Sequence, residues 1–280
     1  MKKLIFNGCS FMAGDELVWE QYQKEHNKEM VPWFSKKPQL TEINDIEFRN
    51  SYIEYRRNFN LPAMVSRKLE CEWFDLSRDG KGNEAIALET IAHINTIDKE
   101  ERKNYHVIIG WTSLSRVMKY SKVVKHFIDL TAGHYDGSNT DPVKASLKDY
   151  IKAVILGGDD EDHISNYIRN IMLLENYLIV NNISYTFYRA LDDYIFDFNT
   201  VGPFNYEFKS TLQVNDCTNH INWYKFVDDH RNPINGISWA TEFFNKPHMW
   251  VTPENAHPGL ETISNFSEKL SEFIKTQQVL

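Results

Sequence analysis

The stretch that most constrains this chain is its first strand and the turn behind it, Lys3-Leu4-Ile5-Phe6-Asn7-Gly8-Cys9-Ser10-Phe11-Met12-Ala13-Gly14-Asp15-Glu16. Leu4-Ile5-Phe6 is a short apolar run without polar alternation, the pattern of a strand buried on both faces of its sheet. Gly8, the thiol and hydroxyl of Cys9 and Ser10, and then Gly14 follow at once. Loops at the carboxyl ends of such strands are where open α/β sheets hold ligands. Ser10 therefore stands where a nucleophile is useful. The plainer alternative is a strand-to-helix turn in which Ser10 caps the helix.

Further along, the same unit repeats. Leu61–Leu69 has helical spacing with Pro62 in its first turn. Glu72–Leu76 reads as a second strand, followed by a turn holding Gly80 and Gly82 and by a helix over Glu84–Asn95 with Ile86, Leu88, Ile91 and Ile94 inward. Tyr105–Gly110 is a third strand, β-branched and closed by glycine. Trp111–Arg116 is then a loop, Val117–Leu130 and Ser146–Leu156 read as helices, His163–Asn182 is a strongly periodic helix, and Ile183–Tyr188 is a fourth strand. An amphipathic helix built on Leu260, Ile263, Phe266, Leu270 and Phe273 closes the sequence. Two stretches lack a period, and we expect them as insertions at about 31–60 and 192–247 within one domain spanning 1–280.

Composition removes several functions. A net charge of −8 opposes binding to a nucleic-acid backbone or an anionic membrane, so neither is expected as a partner. No apolar stretch approaches the length of a membrane span. Cys9, Cys71 and Cys217 are too few and too scattered for a disulfide framework, and a reducing, cytoplasmic location follows as the expectation. His220 and His230 lack metal-ligand spacing, and Asp15-Glu16 suits a helix start better than a metal pair. The first loop carries neither Gly-x-Gly-x-x-Gly nor a Walker pattern. No metal and no cofactor is expected.

If the strands are parallel neighbours, Ser10, Gly80, Thr112 and the loop holding His257 converge at one edge. A serine nucleophile needs a base, and the base needs a partner that fixes its tautomer. His257 is the candidate base. Glu254, three residues earlier, is the candidate orienter, with Asn255 competing for that role. Charge developing on a carbonyl oxygen needs donors aimed at it, and the backbone N–H groups of Ser10 and Gly80 are placed to serve. Gly80 is read equally well as a turn glycine.

These residues resemble the SGNH (GDSL-type) hydrolases. Gly8-Cys9-Ser10-Phe11 matches their first block, Asp75–Asn83 resembles the second, Gly110-Trp111-Thr112-Ser113 stands where the third should be, and Glu254-Asn255-Ala256-His257 resembles the fifth. The whole pattern, including Gly-x-Gly-Asn and His-Pro-Gly, looks most like the divergent members met in phage genomes. The resemblance implies a three-layer αβα sandwich with a parallel sheet, SGNH or flavodoxin-like, decorated by large insertions. It implies Ser10 as nucleophile, His257 as base, Glu254 as orienter, and Gly80 and Thr112 as oxyanion donors. Asn83, Trp111, Ser113 and Arg116 are the substrate-binding candidates, with Trp33, Trp223, Tyr224 and Trp239 as aromatic platforms from the insertions. The implied activity is hydrolysis of a small O-acyl ester, such as O-acetyl, on a sugar or other polar metabolite, in the host cytoplasm if phage-encoded. Three departures stand out. Cys9 replaces the usual aspartate before the serine, Thr112 replaces the oxyanion asparagine, and Glu254 stands in place of the aspartate that orients the histidine. The second leaves open a non-catalytic binding or structural module on the same fold.

Overall fold

The computed structural model describes residues 2–14, 46–112, 116–122, 125–130, 150, 160–190, 250–252, 255–258 and 260–276. In chain order these form β1 (Lys3–Gly8), α1 (Ser10–Ala13), α2 (Ile46–Phe59), α3 (Leu61–Leu69), β2 (Trp73–Asp75), α4 (Asn83–Asn95), β3 (Tyr105–Trp111), β4 (Val117–Ser121), β5 (His126–Leu130), α5 (Asp160–Val180), β6 (Ser184–Arg189), β7 (Trp250–Thr252), β8 (Asn255–Pro258) and α6 (Leu260–Thr276). The expected helix over Ser146–Leu156, the residues 15–45 and the insertion at 192–247 lie almost wholly outside the described residues.

Four strands make one parallel sheet in the order β2-β1-β3-β6. Leu4, Ile5 and Phe6 are fully buried, as the unbroken apolar run requires. Alternation along β1 sorts the helices into two layers. Asn7 points to α4, donating to the Ile86 carbonyl, while its neighbour Gly8 faces Met12 of α1. α4 packs on α5 on the Asn7 side. On the other side α3 packs on α6, and Phe266 of α6 meets Tyr188 at the end of β6 with ring centroids 5.0 Å apart. The fold is thus an αβα sandwich with a parallel sheet. Among the described residues no helix is long and apolar enough to cross a membrane.

Four expectations are corrected. Within the expected helix Val117–Leu130, Val117–Ser121 and His126–Leu130 are instead the antiparallel strands β4 and β5, in which Tyr120 lies opposite Phe127 with their rings edge-on at 5.4 Å. Cross-strand aromatic pairing of this kind outweighs the chain's weak helical spacing. Part of the expected irregular excursion at 31–60 is helical, as α2. Leu88, expected inward, is 41% exposed, because α4 turns Ala85, Ile86, Ala87, Thr90 and Ile94 to the core instead. The strand at Tyr105 runs one residue past Gly110, since Trp111 is still paired, with Arg189.

Gly110 is a glycine for a packing reason. A Cβ there would lie 2.8 Å from the Tyr188 hydroxyl and 3.2 Å from Met12 Cε. A polar element is sealed into the sheet near the other end of β3. His106 is fully buried, with Nδ1 3.0 Å from Ser184 Oγ and Nε2 3.0 Å from Thr186 Oγ1. Burial, aided by the nearby Lys2 ammonium, pushes its pKa down to about 3.

An unfolded histidine takes up its proton near about 6.5. Above that pH both states are neutral and His106 adds no pH dependence. As pH falls from there toward 3, the unfolded chain binds a proton that the folded chain refuses, and stability drops by on the order of 1 kcal/mol per pH unit. The expected observation is that the His106 ring stays neutral by nitrogen NMR from pH 7 down to 4. A midpoint near 6 would overturn its assignment as a sealed core residue.

Candidate active site

With the order β2-β1-β3-β6 the topological switch lies between β1 and β3, where the connections leave toward opposite sides of the sheet. The register pairs Gly8 with Gly110, so the residues two positions on, Ser10 and Thr112, leave the sheet at one level. Ser10 opens α1. Cys9 precedes it in extended conformation and Gly14 closes the helix at φ +67, its N–H donating to the Ser10 carbonyl at 2.7 Å. A Cβ on Gly8 would sit 3.0 Å from the Gly110 carbonyl oxygen and 3.1 Å from Met12 Cβ, so the glycine lets α1 lie close over the strand ends. Ser10 is only 3% exposed.

The second loop is laced to β1. Leu76 N–H donates to the Phe6 carbonyl at 2.8 Å and Arg78 N–H to that of Gly8 at 3.2 Å, extending the β1–β2 ladder past Asp75. Gly80 follows at φ +72, a half-buried residue in the left-handed region where glycine is favoured. Lys81 is fully buried. Its ammonium donates to Asn7 Oδ1 at 2.8 Å and to the Leu76 carbonyl, and pairs with Glu89 at 2.6 Å. Burial lowers its pKa and Glu89 works against that. With these bonds made, Lys81 is a strut of the loop.

Beyond β3 the backbone of Thr112 is clasped by one amide. Thr112 N–H donates to Asn83 Oδ1 at 2.8 Å, and Asn83 Nδ2 donates to the Thr112 carbonyl at 3.1 Å. Thr112 Oγ1 is buried and has no hydrogen-bond partner among the described residues. At this position the hydroxyl, and not the backbone N–H, is the donor without a partner among the described residues. Asn83, expected as a substrate contact, instead serves as the brace of the Thr112 loop.

Trp111 is corrected too. Its indole is fully buried, edge-on to Phe187 at 5.3 Å and to Tyr167 at 6.1 Å, so it packs the core and presents no ligand surface. Arg116 is half-buried. It donates to the Lys81 carbonyl at 3.4 Å and lines a cleft of about 580 Å³ with Glu84, Val117, Arg169, Met172 and Leu173. Ser113, Glu254, Trp33, Trp223, Tyr224, Trp239, His220 and His230, and the pair Asp15-Glu16, lie outside the described residues. His257 belongs to β8, a strand of the β7–β8 antiparallel pair and not the expected loop. β8 lies against α1, so the backbone carrying His257 adjoins the helix that begins at Ser10.

Three polar groups at this edge escaped the sequence reading. Asp75 Oδ2 accepts from Arg56 Nε at 3.1 Å, Arg56 Nη2 at 3.0 Å and Asn60 Nδ2 at 2.9 Å, while its Oδ1 accepts from Ser77 N–H at 2.9 Å. This anchors α2 and α3 to the end of β2. Tyr188 has its phenol pushed well above the usual range by burial, with Cys9 and Asp75 adding to the shift. The third is Asp129 on the hairpin, whose carboxylate reaches the Gly80 loop. The signal for Tyr188 was the glycine opposite it; for Asp75 and Asp129 no local pattern exists. Among the described residues no cluster of three or more His, Cys, Asp or Glu has the makings of a metal site.

No protein-family model matches the chain, and no curated protein matches it. Among solved structures it is similar to one from Desulfitobacterium hafniense DCB-2, provisionally described as a lipolytic protein of the G-D-S-L family. The identity is 14%, the TM-score 0.42, and the match covers 98% of this chain and 99% of that one. The likeness is loose in sequence and in shape, and no part of the site's chemistry rests on it. Nothing in these matches bears on a phage origin.

Removal of the Asn83 amide strands the Thr112 N–H and carbonyl inside the protein. Asn83→Ala is expected to lose about 1–3 kcal/mol of stability in urea unfolding. Asn83→Asp is expected to lose at least as much, because it keeps the acceptor for the Thr112 N–H but sets a buried carboxylate oxygen against the Thr112 carbonyl.

Proposed function

We propose that this protein is a serine esterase or deacylase that needs no metal. Ser10 Oγ attacks the carbonyl of a small O-acyl ester while His257 takes its proton. His257 then gives that proton to the departing alcohol as the carbon–oxygen bond breaks. Water, deprotonated by His257, attacks the acyl-serine and frees Ser10. Glu254 orients His257, with Asn255 the competing partner. The oxyanion is met by the backbone N–H groups of Ser10 and Gly80 and by the Thr112 hydroxyl. The substrate class we assign is an O-acetyl or similarly small ester on a sugar or other polar metabolite, with Arg116 and its cleft available to a polar leaving group.

The observation that carries this reading is the contact between β8, which holds His257, and α1, which opens with Ser10. A hydroxyl-bearing residue that opens α1 behind β1, and a histidine-bearing strand adjoining that helix, suit acyl transfer. Support also comes from Thr112, whose buried hydroxyl has no partner among the described residues. One observation favours the second reading, a non-catalytic binding module. Ser10 is nearly closed off from solvent.

A fluorophosphonate separates the two. A hydrolase labels covalently at Ser10 and turns over p-nitrophenyl acetate, and Ser10→Ala and His257→Ala each lose activity by at least about a thousandfold. Absence of labelling and turnover in the wild type would move the assignment to the binding module. Thr112→Val is expected to cost about a hundredfold in kcat, the usual toll of one oxyanion donor. Its stability should be unchanged or higher, because a buried hydroxyl without a partner disfavours the folded state.

A further inference from the structure

The turn that carries Gly80 is held at both feet by a single carboxylate from elsewhere in the chain. Asp129 lies on β5 with its side chain 10% exposed. Its Oδ1 accepts from the Gly82 N–H at 3.0 Å and its Oδ2 from Arg78 Nη2 at 2.9 Å. Those partners stand two residues after and two residues before Gly80. An added Cβ at Gly80 would meet no atom within 4 Å among the described residues, so none of these packs on that side of the apex. The feet are crowded by contrast. A Cβ on Gly82 would sit 3.2 Å from Asp129 Oδ1 and 3.3 Å from the Arg116 carbonyl oxygen. Arg78 also pairs with Glu89 at 2.8 Å. Gly82 caps α4 and offers no side chain for its open N–H groups, so the carboxylate also meets the positive end of that helix.

We propose that Asp129 is a positioning residue for the active site: it clamps the turn at Arg78 and Gly82 so that the Gly80 N–H stays aimed at the oxyanion position beside Ser10. The proposal rests on the reading of Ser10 and Gly80 given above. It assigns the β4–β5 hairpin a purpose, as the outer support of the oxyanion turn. A donor helps the transition state only if it is already in place when charge develops, and a glycine turn has little stiffness of its own. Asp129 touches no substrate and acts through the turn alone.

The test compares Asp129→Asn, which keeps an acceptor for Gly82 but loses the charge that holds Arg78, with Asp129→Ala, which loses both. For hydrolysis of p-nitrophenyl acetate, kcat should fall about tenfold in the Asn variant and about a hundredfold in the Ala variant, with KM within about twofold of wild type. Amide hydrogen exchange over 79–83 should quicken by at least about tenfold in the Ala variant, while the amides of β3 keep their protection. Unchanged exchange in that turn would overturn the clamp, and so would faster exchange with an unaltered kcat. If the Ala variant does not fold, the nearly isosteric Asn variant carries the comparison. If the wild type neither labels at Ser10 nor turns over, the hydrolase reading fails by itself. Exchange at 79–83 then decides the clamp alone, faster exchange sustaining it and unchanged exchange removing it.

Discussion

The amide of Asn7 is fully buried, and both of its ends are bonded. Its Oδ1 accepts from Gly8 N–H at 2.9 Å and from Lys81 Nζ at 2.8 Å, and its Nδ2 donates to the Ile86 carbonyl at 3.0 Å and to Thr90 Oγ1 at 2.9 Å. One side chain thereby ties the end of β1, the second loop and α4 together. A buried amide left half-bonded costs on the order of 1–3 kcal/mol, so this junction tolerates little rearrangement. Ser10, Gly80 and Asn83 all extend from the elements it joins. The relative placement of the candidate nucleophile and its candidate oxyanion turn is therefore set by a polar contact inside the protein.

The parallel sheet was legible because its strands are chemically blunt. Leu4-Ile5-Phe6 and Val107-Ile108-Ile109 admit few other fates, and the register then follows from burial. The hairpin was not legible. Val117–Leu130 mixes Val, Lys, His and Phe at spacings that suit either period, and the Tyr120–Phe127 pair that decides the matter exists only once the chain has turned back. Gly110 misled in a related way. Read as the end of a strand, it put Trp111 in a loop beside the substrate. Its real constraint is Tyr188, packed where a Cβ would go, and the ladder continues past it.

The candidate site divides along the same line. Ser10, Gly80 and Thr112 were proposed as candidates from local sequence because each stands directly behind a strand or in a glycine turn. The residues that hold them were not. Asp129 reaches Gly82 across 47 residues of sequence and Asn83 reaches Thr112 across 29. A carboxylate that caps another helix, or an amide that braces another loop, leaves no mark in its own neighbourhood. Candidates for chemistry are thus easier to propose from a chain than the residues that keep them in position.

The sheet's connectivity has a consequence for how the chain reaches its structure. β1 sits in the interior of the sheet, yet Leu4 pairs with Trp73 on one side and with His106 on the other. During synthesis at about 5–20 residues per second, the Leu4-Ile5-Phe6 segment waits roughly 5–20 s for β3 to emerge. No short-range hairpin is available to it in the meantime. The contact order of this sheet is high, and loop closure comes before any reward from pairing. An exposed apolar run that waits this long, guarded only by Lys2 and Lys3 at its start, is a natural client for a holdase, and the nascent chain, more than the finished fold, is where aggregation would start.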